Sequence, residues 1–202
     1  MLFSDNHENT AIRAWNICDE FNLNPWLLGS GFEYRRLDEL EKLKPFIILP
    51  LDFPAKPRVT DAFTALQYDT EQLKHWDLAP DHIFRIQDKG LVFSLSSHGL
   101  KKKSQFRTNL QRIIDRGFSK DVALAAITTY PAEAMGVDKI LGKIQPGYMA
   151  NLVIVDGDYF NSKSRITSVW VGGDEYFVAT KKSYNLKGIW KLSIGNKKYD
   201  LE

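Results

Sequence analysis

Four short apolar segments separated by helical stretches set the main constraint on what this chain can form. The segments are residues 2–4, 25–28, 46–49 and 91–95. Between the first two, residues 8–21 place Ala14, Ile17, Cys18 and Phe21 at the spacing of one helical face. Residues 34–43 do the same with Leu37, Leu40 and Leu43. After the third segment comes a proline-bearing connection, residues 51–69, more irregular than a plain crossover. Thr70 and Asp81 then read as helix caps, the second helix running to Lys89. Beyond the fourth segment, Phe106, Leu110, Ile113 and Ile114 form one face of a helix ending at Gly117. Ser119 caps a last helical pair that closes near Met135-Gly136. Strands alternating with helices predict an α/β fold of parallel βα units. Four such units make half of a (β/α)8 TIM-type barrel, or equally a small open sheet, and periodicity does not choose between them.

From Leu141 the pattern turns to β. Pro146-Gly147 has the residue order of a type II turn. Residues 152–155, 166–171 and 175–179 predict antiparallel strands, and Gly195-Asn196 predicts a hairpin between 191–194 and 197–201. The expected division is therefore a βα part over 1–139 and a small antiparallel β part over 140–202. Met1 opens directly on a strand and Leu201-Glu202 resembles the start of a tag, so an excised fragment is expected.

Composition narrows the function classes. A hydrophobic share of 44% with 26% charged residues suits an ordinary globular domain. No run of about 18 apolar residues is present, so no membrane contact is expected. With 27 basic against 25 acidic residues, nothing predicts a nucleic-acid partner. Lys101-Lys102-Lys103 and Lys181-Lys182 are short, lack interleaved aromatics and read as solvated loops. The single Cys18 excludes an internal disulfide, leaves the compartment open, and reads as a small buried hydrophobe.

One long segment carries a resemblance. It runs Thr128-Thr129-Tyr130-Pro131-Ala132 through a short helix to Gly136, then Gly142-Lys143-Ile144-Gln145-Pro146-Gly147-Tyr148-Met149-Ala150-Asn151-Leu152-Val153. It is similar to the C-terminal signature of the amidohydrolase superfamily, most of all the imidazolonepropionase and dihydroorotase-like branch. Asn151 stands where the signature usually has Asp. The resemblance implies the C-terminal half of a barrel followed by part of a β-sandwich that is shared with N-terminal strands.

It also implies zinc or another divalent metal at the C-terminal mouth of the barrel. The family ligands are a His-x-His pair on the first strand, a residue on the fourth, single histidines on the fifth and sixth, and Asp on the eighth. A metal-bound water loses its proton near neutral pH, and the Asp shuttles that proton. If the four strands here are the fifth to eighth, the fifth position falls at Phe3–Asp5, which lacks histidine; His7 comes two or more positions late. The sixth falls at Ser30, and a hydroxyl is a poor zinc ligand. The eighth falls at Ser96-Ser97, so Ser97 replaces the carboxylate, with His98 beside it as a weak candidate ligand or base. Asp5, Ser30 and Ser97 are thus degenerate ligand positions, no catalytic residue is assigned, and no cofactor is expected. His75 and His82 fall on outer helices and read as structural or surface residues. Neither a Gly-x-Ser-x-Gly elbow nor a phosphate-cradling glycine loop offers other chemistry.

The expected function is a non-catalytic structural or binding unit of a larger protein. The alternative is part of a metal-dependent hydrolase of C–N bonds in cyclic amides, imidazolonepropionase-like, that needs its N-terminal half. The expected partners are the rest of a parent polypeptide and, for the chain alone, a second copy, with Phe3, Trp26, Phe46, Ile48 and Phe93 near the contact. The competing expectation is that residues 51–69 fold back over the open face.

Overall fold

The computed structural model describes residues 2–4, 8–178, 190–195 and 197–201. Strands β1 (Leu2–Ser4), β2 (Trp26–Leu28), β3 (Phe46–Pro50) and β4 (Phe93–Ser96) form one parallel sheet in that spatial order. Parallel neighbours need long crossovers. These contain α1 (Glu8–Glu20), α2 (Leu37–Leu43), and then α3 (Ala62–Ala65), α4 (Thr70–Leu78) and α5 (His82–Asp88) between β3 and β4. Helices α6 (Gln105–Asp115), α7 (Lys120–Ile127) and α8 (Thr129–Ala134) follow.

Side-chain alternation along the strands divides the sheet into two faces. Leu27, Ile47 and Phe93 are in register on one face, with Leu49 and Leu95 one step on. They are buried with Leu40 of α2, Ile83 and Ile86 of α5, Leu110 and Ile113 of α6, and Ala123 and Ala126 of α7. Full burial of each large aliphatic side chain contributes about 1.5–3 kcal/mol, so this one cluster holds the sheet to its helices. Trp26, Leu28, Phe46 and Ile48 point to the other face and stay outside that cluster. Phe3 and Phe93, expected at the open face, belong to the covered one: Phe93 is buried in the core and Phe3 packs against it.

Several local expectations need correction. In α1 only Ala14 and Cys18 are buried, while Ile17 and Phe21 are exposed, because the inward stripe is narrower than the apolar spacing. Residues 34–43 are not one helix: a 3-10 turn at Glu33–Arg35 precedes α2, and Arg36 interrupts. The cap of α4 is Asp69, in a reciprocal pair with Gln72, and Thr70 is already helical. Asp81 gives no side-chain cap, since its carboxylate is taken by Arg116. Within residues 51–69, Asp61 and Thr64 form a capping box that starts α3. Ser119 does cap α7, and α6 ends with Phe118 N–H reaching back to the Ile113 carbonyl.

The second sheet is antiparallel: β5 (Leu152–Val155), β6 (Ile166–Val171) and β7 (Asp174–Phe177). Its last strand starts one residue earlier than expected, and position 179 lies outside the described residues. Strands β8 (Trp190–Ile194) and β9 (Lys197–Leu201) pair as the predicted hairpin. The loop between β5 and β6 returns to the first sheet. Phe160 joins the main core, and Arg107 of α6 donates to the carbonyls of Tyr159, Asn161 and Ser164 at 2.9–3.2 Å. Among the described residues no helix is long and apolar enough to cross a membrane.

Candidate functional site

The C-terminal ends of the four parallel strands gather the positions singled out in the sequence. At β1, Asp5 and His7 lie outside the described residues. At β2, the chain leaves the sheet through Gly29-Ser30-Gly31 and enters the turn that carries Glu33. At β3 it continues through Leu51 to Asp52, and at β4 through Ser97 to His98.

Ser30 is fully engaged. Its backbone N–H and its hydroxyl both donate to Glu33 Oε1, the hydroxyl at 2.9 Å, and the hydroxyl oxygen accepts from Phe32 N–H at 3.3 Å. Gly31 N–H donates to Glu33 Oε2 at 3.1 Å. The same Oε2 lies 3.1 Å from His82 Nε2 at the start of α5. That contact is within ion-pair reach but poorly aligned, since neither ring nitrogen of His82 makes a well-formed hydrogen bond. Both side chains are almost completely buried. Burial alone would raise the Glu33 pKa. The hydrogen bond and charge of His82, with the Ser30 and local N–H donors, outweigh it and hold the carboxyl at about 2.

Aromatic rings link this pair to the surface. Tyr34 stands edge-on to His82 at 5.9 Å, and its hydroxyl lies 3.4 Å from His75 Nδ1. His75 stacks on Phe32 at 3.9 Å, and the Arg35 guanidinium covers the Phe32 ring at 4.5 Å while pairing with Glu71 of α4. Burial lowers the His75 pKa, and the charges of Arg35 and His82 lower it further. Beside the pair, Gly31, Asp52, His75 and His82 help to line a cavity of about 20 Å³, room for a single water.

The order of these groups decides what they can do. A serine nucleophile needs a base on its hydroxyl and an orienting acid behind the base. Here Ser30 touches the carboxylate, and the imidazole stands behind it. A carboxylate held at about 2 is a weak base. The cluster therefore fixes the loop after β2 and does not activate Ser30.

Ser97 offers its carbonyl to Lys103 Nζ at 2.7 Å. His98 is exposed and is held through its backbone N–H to Ser96 Oγ at 3.0 Å. Among the described residues no group of three or more His, Cys, Asp or Glu side chains is placed to hold a metal ion. A metal of the kind the sequence resemblance implies does not fit the donors at Ser30 and Ser97, which are neutral hydroxyls. Sequence reasoning missed Glu33 and undervalued His82. The signal for Glu33 was present: Ser30-Gly31-Phe32-Glu33 has the Ser-x-x-Glu spacing of a reciprocal cap.

Comparison with known proteins agrees with this placement. The profile of the amidohydrolase family matches residues 86–188, just over half of the chain. The chain belongs to the amidohydrolase family. Amidohydrolase tasK of Hapsidospora irregularis is 36% identical over 61 residues, which cover 30% of this chain and 6% of that protein. Among solved structures, an amidohydrolase from Thermotoga maritima MSB8 superposes with a TM-score of 0.68 at 21% identity, over 87% of this chain and 43% of that one. A Xaa-Pro dipeptidase with bound methionine superposes with a TM-score of 0.56 at 12% identity, over 85% of this chain and 49% of that one. At such identities these structures share the fold, and this amidohydrolase chain spans under half the length of each.

Proposed function

We propose that the chain is the C-terminal half of a (β/α)8 amidohydrolase barrel, residues 1–139, with part of a β-sandwich appendage, residues 140–202. In this reading it serves a larger protein as a non-catalytic structural or binding unit. One observation carries it: at the end of β2, where the sequence resemblance sets a metal-binding histidine, Ser30 is bound to the buried carboxylate of Glu33. A side chain committed in that way supplies no lone pair to a cation at the mouth. Ser97 adds a second neutral hydroxyl at the eighth-strand position.

Metal content tests the reading. After dialysis against trace zinc, iron or manganese, the purified chain is expected to retain less than about a tenth of an equivalent by elemental analysis. A stoichiometric ion lost on replacing His98 or His7 would overturn it.

A second reading has support in the neighbours, which include a named dipeptidase and a named amidohydrolase, each more than twice as long as the matched part. Under it the chain is part of a metal-dependent hydrolase of C–N bonds, on the imidazolonepropionase and dihydroorotase-like branch suggested by the segment from Thr128 to Val153. It requires an N-terminal half bearing the His-x-His strand, and His98 then becomes the nearest ligand or base. Hydrolysis of cyclic amides or Xaa-Pro dipeptides by a longer polypeptide, abolished by His98→Ala, would favour it.

A further inference from the structure

The sheet face opposite the helices is apolar and uncovered by the main core. Trp26 and Phe46 meet there with ring centres 5.7 Å apart, and Leu28 and Ile48 are in register one step on. At the flanks, Leu2 is 55% and Val92 49% exposed. Both sheet edges are open among the described residues: β1 pairs with β2 alone, and β4 with β3 alone. Unpaired edges beside an apolar face recruit further strands. The connection over residues 51–69 turns its own apolar side chains to solvent, with Phe63 and Leu66 each 83% exposed. It does not shield the face with them.

We propose that this face is the docking site for a second copy of the chain, with β1 of each copy set beside β4 of the other. Strand direction is the first argument. All four strands run the same way, so a second copy enters with matching polarity when it is rotated about an axis along the strands. A twofold of that kind brings β1 to β4 and β4 to β1 at once, which closes the contact and leaves no edge unpaired. Strand number is the second. A closed parallel barrel has eight strands; this chain supplies four and spans 43–49% of two structures that share its fold. Charge is the third. Leu2, Trp26, Leu28, Phe46, Ile48 and Val92 carry none, so two identical faces meet without like-charge repulsion. The proposal rests on the half-barrel reading and not on the metal-poor mouth, so metal uptake would leave it standing.

Sedimentation equilibrium of the 202-residue chain at micromolar concentration tests it, with a species of twice the 23.2 kDa chain mass expected. Leu2→Lys and Val92→Lys change side chains already exposed in the single chain, so each keeps its circular dichroism and is expected to weaken the dimer at least tenfold. Phe63→Lys, away from the face, leaves it intact. A 23.2 kDa species, or an open-ended series of larger ones, overturns the proposal. So does a dimer that ignores both lysine variants and splits on Tyr176→Lys, which would move the contact to β7. A chain that stays single and binds a separately expressed N-terminal half barrel, in a manner Leu2→Lys blocks, gives the face to that other occupant.

Discussion

Glu33 shows how one side chain sets the behaviour of a strand end. Its carboxylate collects the donors of Ser30 and Gly31 and faces His82 within a nearly dry environment. A carboxyl held at about 2, against an ordinary 4.5, is depressed in the folded state. Its stabilisation is therefore fully present above pH 4.5 and is lost as the pH falls toward 2. The size is on the order of 3 kcal/mol, with roughly half gone by pH 3. Glu33→Gln keeps the shape and removes the charge, so it is expected to cost about that much at pH 7 and far less at pH 3. Urea unfolding of both proteins at the two pH values measures this. If the variant shows the same pH dependence as the parent, Glu33 is not the group responsible.

At the scale of elements, the sequence was readable wherever local chemistry sets the outcome. All four parallel strands, the hairpin around Gly195 and the helix after Ser119 follow from apolar spacing and cap or turn residues. Tertiary partners overrode it elsewhere. Asp81 left its cap for Arg116, and Glu33 was drawn inward by a histidine 49 positions away, a pairing that only the packing of α5 against the loop after β2 creates. The mouth of the sheet was legible as a set of positions, but what Ser30 binds was not. The Pro146-Gly147 turn behaves as its residue order predicts: Tyr148 N–H donates to the Gln145 carbonyl at 3.2 Å, and Gly147 has φ of 90°. A side chain there meets nothing within 4 Å, so the cost of adding one is conformational alone. Gly147→Val is expected to lower stability by about 1–3 kcal/mol. Calorimetry giving an unchanged melting temperature would exclude a turn that depends on glycine.

For the whole molecule the question is whether the two sheets stand or fall together. The β5–β6 loop has two attachments to the first sheet's helices. Phe160 is buried in the common core, and the Arg107 guanidinium binds three loop carbonyls while lying 5.1 Å from the Tyr159 ring. Hydrogen bonds from a charged donor contribute about 1.5–3 kcal/mol each when well made and partly buried. Removing the guanidinium also leaves the carbonyls of Tyr159 and Ser164 without it. Both attachments argue for one cooperative unit in which β5 and β6 lose protection only when β3 and β4 do. Hydrogen exchange at a fixed protein concentration is expected to give the slowest amides of β3 and β6 similar opening free energies. Arg107→Ala is expected to separate them, lowering that of β6 by about 2 kcal/mol or more while β3 changes less. Parent amides in β6 that already open several kcal/mol more easily than those in β3 would show that the loop does not couple the sheets, and Arg107 would then serve only the local shape of the loop.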